Sequence, residues 1–320
     1  MSMVLRNRYS TTNALSPEPT RVTVSGWGYE SIYERIVTWY TWHEIFHHFA
    51  YQSIGGIGST FWGCSPLADY LNGIKLLPFP FWSPFDVTKS PTYEIIWLHQ
   101  AVTFILCCIN NVAIDILITG FMNVASCQFE LLKCKISSIG EDEKHLIKPT
   151  KNPSKLSKNA EDQIYMKLCD CVRHNIAIFE FVAEIQGIFS TVICMQLFLN
   201  CLIICLTTFR VTQMTTYFTT EVAGNLVYTC CMTYQIFIYA WHGNELYLHN
   251  ENISLAIYMG NWWKFGERIK HALRIMMLRT YRPLYITTWF SVKLSLSLFV
   301  AILQMSYTIF AFLRSSADNT

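Results

Sequence analysis

The stretch His43-Glu44-Ile45-Phe46-His47 sets two imidazoles one helical turn apart with a carboxylate beside the first. On a helix that spacing lets both histidines reach one zinc ion and places a glutamate to activate water, which is the chemistry of zinc peptidases. An intramembrane centre of that kind needs a third ligand, commonly an Asp in a D-G element. Asp115 is followed by Ile116, and no H-E-x-x-H-x-x-G-x-x-H pattern occurs. The stretch WYTWHEIFHHFAY therefore reads as the inner end of a helix, where Trp, Tyr and His sit among lipid headgroups. No metal or other cofactor is expected, and intramembrane zinc proteolysis remains the alternative.

Other reactive types are equally sparse. Cys169-Asp170-Cys171 lacks the two-residue spacing of a redox or zinc pair, and most of the 12 cysteines fall in or at the ends of apolar stretches, where they act as small packers. Asp115 is an acid in the middle of such a stretch. It reads either as a functional ionisable group or as a partner for Asn110 or Asn111 one turn earlier.

The elements that hold these residues follow from composition. The chain has 320 residues, 52% of them hydrophobic and only 14% charged, against about 25% charged in a soluble domain. Residues 95–114, 186–209, 222–241 and 294–313 are each long enough to cross a hydrocarbon core as a helix, which takes about 20 residues; residues 45–62 form a shorter fifth candidate. Most of the 24 Lys and Arg fall before the first span, between the second and third, and between the fourth and fifth. The excess of bases in cytoplasmic loops then puts the N-terminus inside and, after five crossings, the C-terminus outside. The expected fold is all-α, a polytopic transmembrane helical bundle. Residues 1–34 read as a polar cytoplasmic arm with no secretory signal, 35–314 as the transmembrane domain, and 315–320 as a short extracellular tail. A first span over 36–62 leads into a turn-rich stretch, GCSPLADYLNG, and a proline- and aromatic-rich outer loop. Overlong spans two (92–132) and three (164–209) project into the cytoplasm around a polar, disorder-prone loop at 137–163. The segment 242–283 is helical in period but too charged to span, and the last span follows Pro283. A net charge of +2 gives no reason to expect nucleic acid.

Four blocks in order, LPFPFWSPFDVTKSPTYEIIWLHQ (77–100), CVRHNIAIFEFVAEIQGIFSTVICMQ (171–196), HGNELYLHNENISLAIYMGNWW (242–263) and the stretch from MMLRTYRP to FAFLR (276–314), together resemble the insect odorant receptors. The resemblance implies an odorant-gated, non-selective cation channel in the plasma membrane of olfactory neurons, expected in the dendrite or cilium. It also implies assembly with a co-receptor in a heterotetramer embedded in lipid, with small volatile apolar molecules as ligands and no enzymatic activity. By the same likeness WSPFD roofs the ligand site, which is lined by Gly55, Gly58, Trp62, Phe104, Cys108, Asn225 and Tyr228. Ile309, Phe310 and Leu313 form an apolar gate. Close helix packing is the commoner role of such glycines. The family has seven spans where five are counted here, and the match begins at the family's third. A truncated, non-conducting subunit is therefore a further alternative.

Overall fold

A computed structural model describes residues 26–71, 77, 79, 82, 89–146, 158–213, 220–260, 262–282, 284–288 and 292–318; within these, the side chains of 26–30, 62–71, 140–146, 158–160, 220–221 and 317–318 are left undescribed. Its elements are α1 (Gly26–Leu71), α2 (Thr92–Leu146), α3 (Lys158–Gln213), α4 (Thr220–Met259), a single 3-10 turn (Trp262–Lys264), α5 (Glu267–Thr280) and α6 (Leu296–Asp318). The fold is all-α; among the described residues the extended backbone amounts to one antiparallel bridge between Thr287 and Lys293. By its contacts the chain divides after Trp39. The described part of the first unit, residues 26–39, is helical, and everything below concerns the second.

The helices are longer than the expected spans. α1 begins inside the stretch read as a polar arm and continues through GCSPLADYL, where turns were expected. α2 and α3 run into the polar loop from both sides, so that only 147–157 fall outside the described residues there. The last helix starts at Leu296, well past Pro283, and carries on to Asp318 through most of the expected tail. Short hydroxyl side chains inside these helices bond back to carbonyls one turn earlier, as Ser137 does to Lys133 and Ser59 to Gly55, so polar residues that suggest a loop are accommodated without breaking the ladder.

Among the described residues α2, α3 and α6 are long and apolar enough to cross a membrane. On α3, Ile188, Val192, Met195, Leu199, Leu202 and Leu206 are all exposed. They recur every three and four residues and so form one apolar stripe, which suits lipid rather than water. α1 and α4, expected as spans one and four, do not meet the same description. Their polar residues Tyr51, Gln235, Tyr239 and His242 are buried inside the bundle. The side of each helix that faces its neighbours carries these polar groups, which lowers its mean hydropathy, while α1 exposes Trp42, Phe46 and Phe49 on its other side.

The main core runs down the bundle. It joins Phe129 and Leu132 of α2, Ile164 and Leu168 of α3, Leu246 and Ile253 of α4, and Ile269 and Leu273 of α5. α5 is amphipathic, burying Ile269, Leu273, Met276 and Thr280 at helical spacing. Its C-terminal carbonyls are met by Asn250 of α4, whose amide donates to Thr280 O at 3.2 Å and Arg282 O at 3.4 Å. The chain then returns toward α6 through paired backbone bonds, Leu294 N to Ile286 O and Thr288 N to Val292 O, each 2.9 Å.

Gly243 lets this return segment lie directly on α4. A Cβ at position 243 would stand 2.6 Å from Leu294 Cβ and 3.0 Å from Leu294 O. Gly243→Ala should gain about 1 kcal/mol of helix propensity yet lose more than that to overlap, for a net destabilisation of about 1–3 kcal/mol. A lowered thermal midpoint of the purified protein checks it; an unchanged or higher midpoint contradicts so close a contact.

Candidate functional site

Two polar groups are buried where α1, α2 and α4 meet. The first centres on Asp115, 2% exposed on α2. Its Oδ2 accepts a hydrogen bond from Tyr51 Oη on α1 at 2.9 Å and another from Gln235 Nε2 on α4. Its Oδ1 accepts from Tyr239 Oη on α4 at 2.9 Å. Gln235 in turn accepts from Asn200 Nδ2 on α3 at 2.9 Å, so one carboxylate begins a network linking four helices. Asn110 and Asn111, considered from sequence as its partners, are both exposed; the carboxylate instead faces the interior and bonds across helices. Where no water is available, every buried donor needs such an acceptor.

The second group lies about one to two turns nearer the N-terminus of α1. His47 Nδ1 is 2.8 Å from Tyr234 Oη, and its Nε2 is 3.3 Å from His43 Nε2. His242 of α4 completes a triangle, with ring centroids 5.7 Å from His43 and 5.5 Å from His47. Glu44, the carboxylate of the H-E-x-x-H string, is turned to α2 instead. Its Oε1 lies 3.3 Å from where a Cβ on Gly120 would stand.

Further along α4, His249 forms a third polar centre. Its Nε2 is 2.8 Å from Tyr40 Oη and 3.3 Å from Glu245 Oε2, while its Nδ1 is 3.3 Å from Glu130 Oε2 on α2. Burial alone would lower its pKa, but the bonds and charges of Glu130 and Glu245 outweigh that and hold it up at about 9. His249 is therefore a cation at neutral pH.

The expected ligand-site residues gather partly. Gly55 of α1 approaches α2 and α4 closely: a Cβ there would lie 3.3 Å from Cys108 Sγ and 3.9 Å from Cys231 Sγ. That contact favours the packing role for this glycine. Gly58 faces Val227, beside Tyr228, at 3.5 Å. Tyr228 packs half-buried against the main core, and Asn225 is 2% exposed. Phe104 meets Phe79, in the segment expected as an outer loop, at 5.4 Å between ring centroids. Gln100 ties that segment to α2, accepting from Phe79 N at 3.2 Å and donating to Phe79 O at 3.0 Å. The side chain of Trp62 and, apart from Trp82, the WSPFD roof lie outside the described residues. On α6, Ile309, Phe310 and Leu313 are half-buried, whereas Tyr307 and Phe312 are exposed.

Sequence reasoning missed Tyr51, Asn200, Gln235 and Tyr239. The signal was present in Asn200 and Gln235, amide side chains inside apolar spans that need partners. It also missed His242, which lies about 200 residues from His43 and is joined to it only by the packing of α1 on α4.

Long apolar helices, three of them able to cross a membrane among the described residues, joined by a buried cross-helix polar network, define a polytopic helical membrane bundle. The family model of the 7tm Odorant receptor matches residues 27–307, and the chain belongs to that family. It is 26% identical over 266 residues to Odorant receptor Or1 of Anopheles gambiae, covering 79% of this chain and 63% of that protein. It is 29% identical over 269 residues to Odorant receptor 10 of Aedes albopictus, covering 82% and 65%. The chain thus spans just under two thirds of the length of these relatives. The solved olfactory receptor OR5 of Machilis hrabei in complex with eugenol shares the fold. Its TM-score is 0.76 at 20% identity, over 93% of this chain and 72% of that one.

Proposed function

We propose that this chain is a subunit of an odorant-gated, non-selective cation channel of the olfactory neuron plasma membrane, working with a co-receptor in a heterotetramer. The observation that carries the reading is the odorant-receptor family match over nearly the whole chain. The ligand is a small, volatile, mostly apolar molecule held near Gly58, Phe104, Cys108 and Tyr228. Its affinity comes from burying apolar surface at about 25 cal/mol per Å². No bond is broken, so no acid, base or nucleophile is required, and the chain is not an enzyme. Binding opens the pore only to the extent that the ligand fits the open arrangement better than the closed one. Ile309, Phe310 and Leu313 of α6 close the pore by excluding water from an apolar constriction.

The test is a current recording from cells expressing this chain with the co-receptor, against a panel of apolar odorants. The reading predicts an odorant-evoked cation current. Tyr228→Ala should raise the half-activating concentration by about tenfold, the equivalent of about 1.4 kcal/mol, and Phe310→Ala should leak without ligand. A complex that reaches the surface and answers no odorant points to a non-conducting subunit. Currents indifferent to both substitutions reject the assigned sites.

A further inference from the structure

We propose that His43, His47 and His242 form a binding site for a divalent transition-metal ion of zinc-like preference, joining α1 to α4. The odorant reading neither requires nor uses it. One ligand nitrogen from each ring lies within 4.8 Å of the other two. Tetrahedral zinc with 2.0–2.1 Å bonds holds neighbouring nitrogens roughly 3.3 Å apart and the rings that carry them roughly 5 Å apart, centroid to centroid. His43 Nε2 and His47 Nε2 are already 3.3 Å apart. The three ring separations are 4.5, 5.7 and 5.5 Å, which bracket the required value, so small side-chain rotations bring all three to one ion.

A second observation is independent of these distances. His242 is 2% exposed, and its Nε2 has no hydrogen-bond partner among the described residues. A buried polar atom left unsatisfied costs about 1–3 kcal/mol; a metal ion accepts that lone pair and removes the penalty. The surroundings also suit a ligand set. Metal-bound histidines usually donate their other ring N–H to a fixed acceptor, and Tyr234 Oη stands 2.8 Å from His47 Nδ1 to receive it. Three neutral imidazoles without thiolate or carboxylate select zinc, copper or nickel over magnesium and calcium.

The site is structural. Glu44 Oε1 approaches Gly120 of α2 and its carboxylate is not among the groups gathered with the three rings, so the string that resembles a peptidase signature is read here as a source of ligands and not of a general base. An ion at this point fixes the spacing of α1 and α4 about three turns from their close contact at Gly55 and Cys231.

The experiment uses the whole 320-residue chain, purified in detergent, stripped with chelator and dialysed against zinc chloride. About one zinc per chain is expected. His43→Ala, chosen because its ring is the least buried of the three and its loss the least harmful to folding, should weaken binding by at least about tenfold, and Tyr234→Phe by about tenfold. A measurement needing no variant runs beside it: cobalt(II) chloride should give the strong visible absorption of a tetrahedral site, and zinc should raise the thermal midpoint reversibly on chelation. Zinc uptake unchanged by His43→Ala, no uptake at all, or a weak octahedral cobalt spectrum would each overturn the proposal.

Discussion

Asp115→Ala is expected to destabilise the receptor by about 2–5 kcal/mol, enough to remove most of the folded protein from detergent extracts. Hydrogen bonds between membrane helices average only about 0.6 kcal/mol, so three of them would be worth about 2. The larger cost is that Tyr51, Tyr239 and Gln235 remain buried without their acceptor, each at or below the low end of about 1–3 kcal/mol because a hydroxyl or amide can turn in part to a neighbouring carbonyl. Asp115→Asn provides the control. Its one oxygen takes the place of Oδ2, accepting from Tyr51 and Gln235, while its amide donates to Tyr239, whose hydroxyl also accepts. This variant should retain most of the stability, by folded yield and thermal midpoint. If alanine and asparagine behave alike and both match the unsubstituted receptor, the network contributes nothing.

The second large effect is tied to pH. His249 carries its proton to about pH 9, against an ordinary 6.5. Because the folded state binds that proton more tightly than the unfolded state, the stabilisation is fully present below about pH 6.5 and is lost as pH rises through about 9. The thermal midpoint should fall between pH 7 and 10 by the equivalent of a few kcal/mol at most. In His249→Ala the slope over that window should flatten, and stability at pH 7 should drop by about 3 kcal/mol. Breaking a buried pair from one side costs about 3–5 kcal/mol. Here Lys133 Nζ, 3.0 Å from Glu130 Oε1, keeps that carboxylate from being left alone and holds the loss to the lower end. A midpoint that is flat from pH 7 to 10 contradicts the ion pair.

Both effects arise in contacts that one sequence does not reveal. The all-helical class, the overlong second and third helices and the family were legible, because apolar runs, charge clumping and four ordered blocks are local properties of the chain. The helix ends were not, since Ser137 and Ser138 read as loop formers but bond back to their own helix. The partners of Asp115 were not legible either. Position 115 was visible as an acid in an apolar stretch, yet Tyr51, Gln235 and Tyr239 lie 64, 120 and 124 residues away, and only helix packing brings them together. The same applies to His242, which turns two histidines one turn apart into a set of three. Of the residues expected at a ligand site, Gly55 and Cys108 do meet. The likeness that suggested them carried no information about Cys231 on the third side of that contact.

The most direct test concerns which end of the bundle faces the cell interior. The proposed orientation, N-terminus inside, would place Phe104 and Tyr228 toward the exterior and His249 with its carboxylates toward the cytoplasm. An epitope appended after Thr320 should therefore bind antibody on intact, unpermeabilised cells, and one at the N-terminus only after permeabilisation. The reverse pattern would invert the receptor in its membrane, and the odorant-sensing account would fall with it.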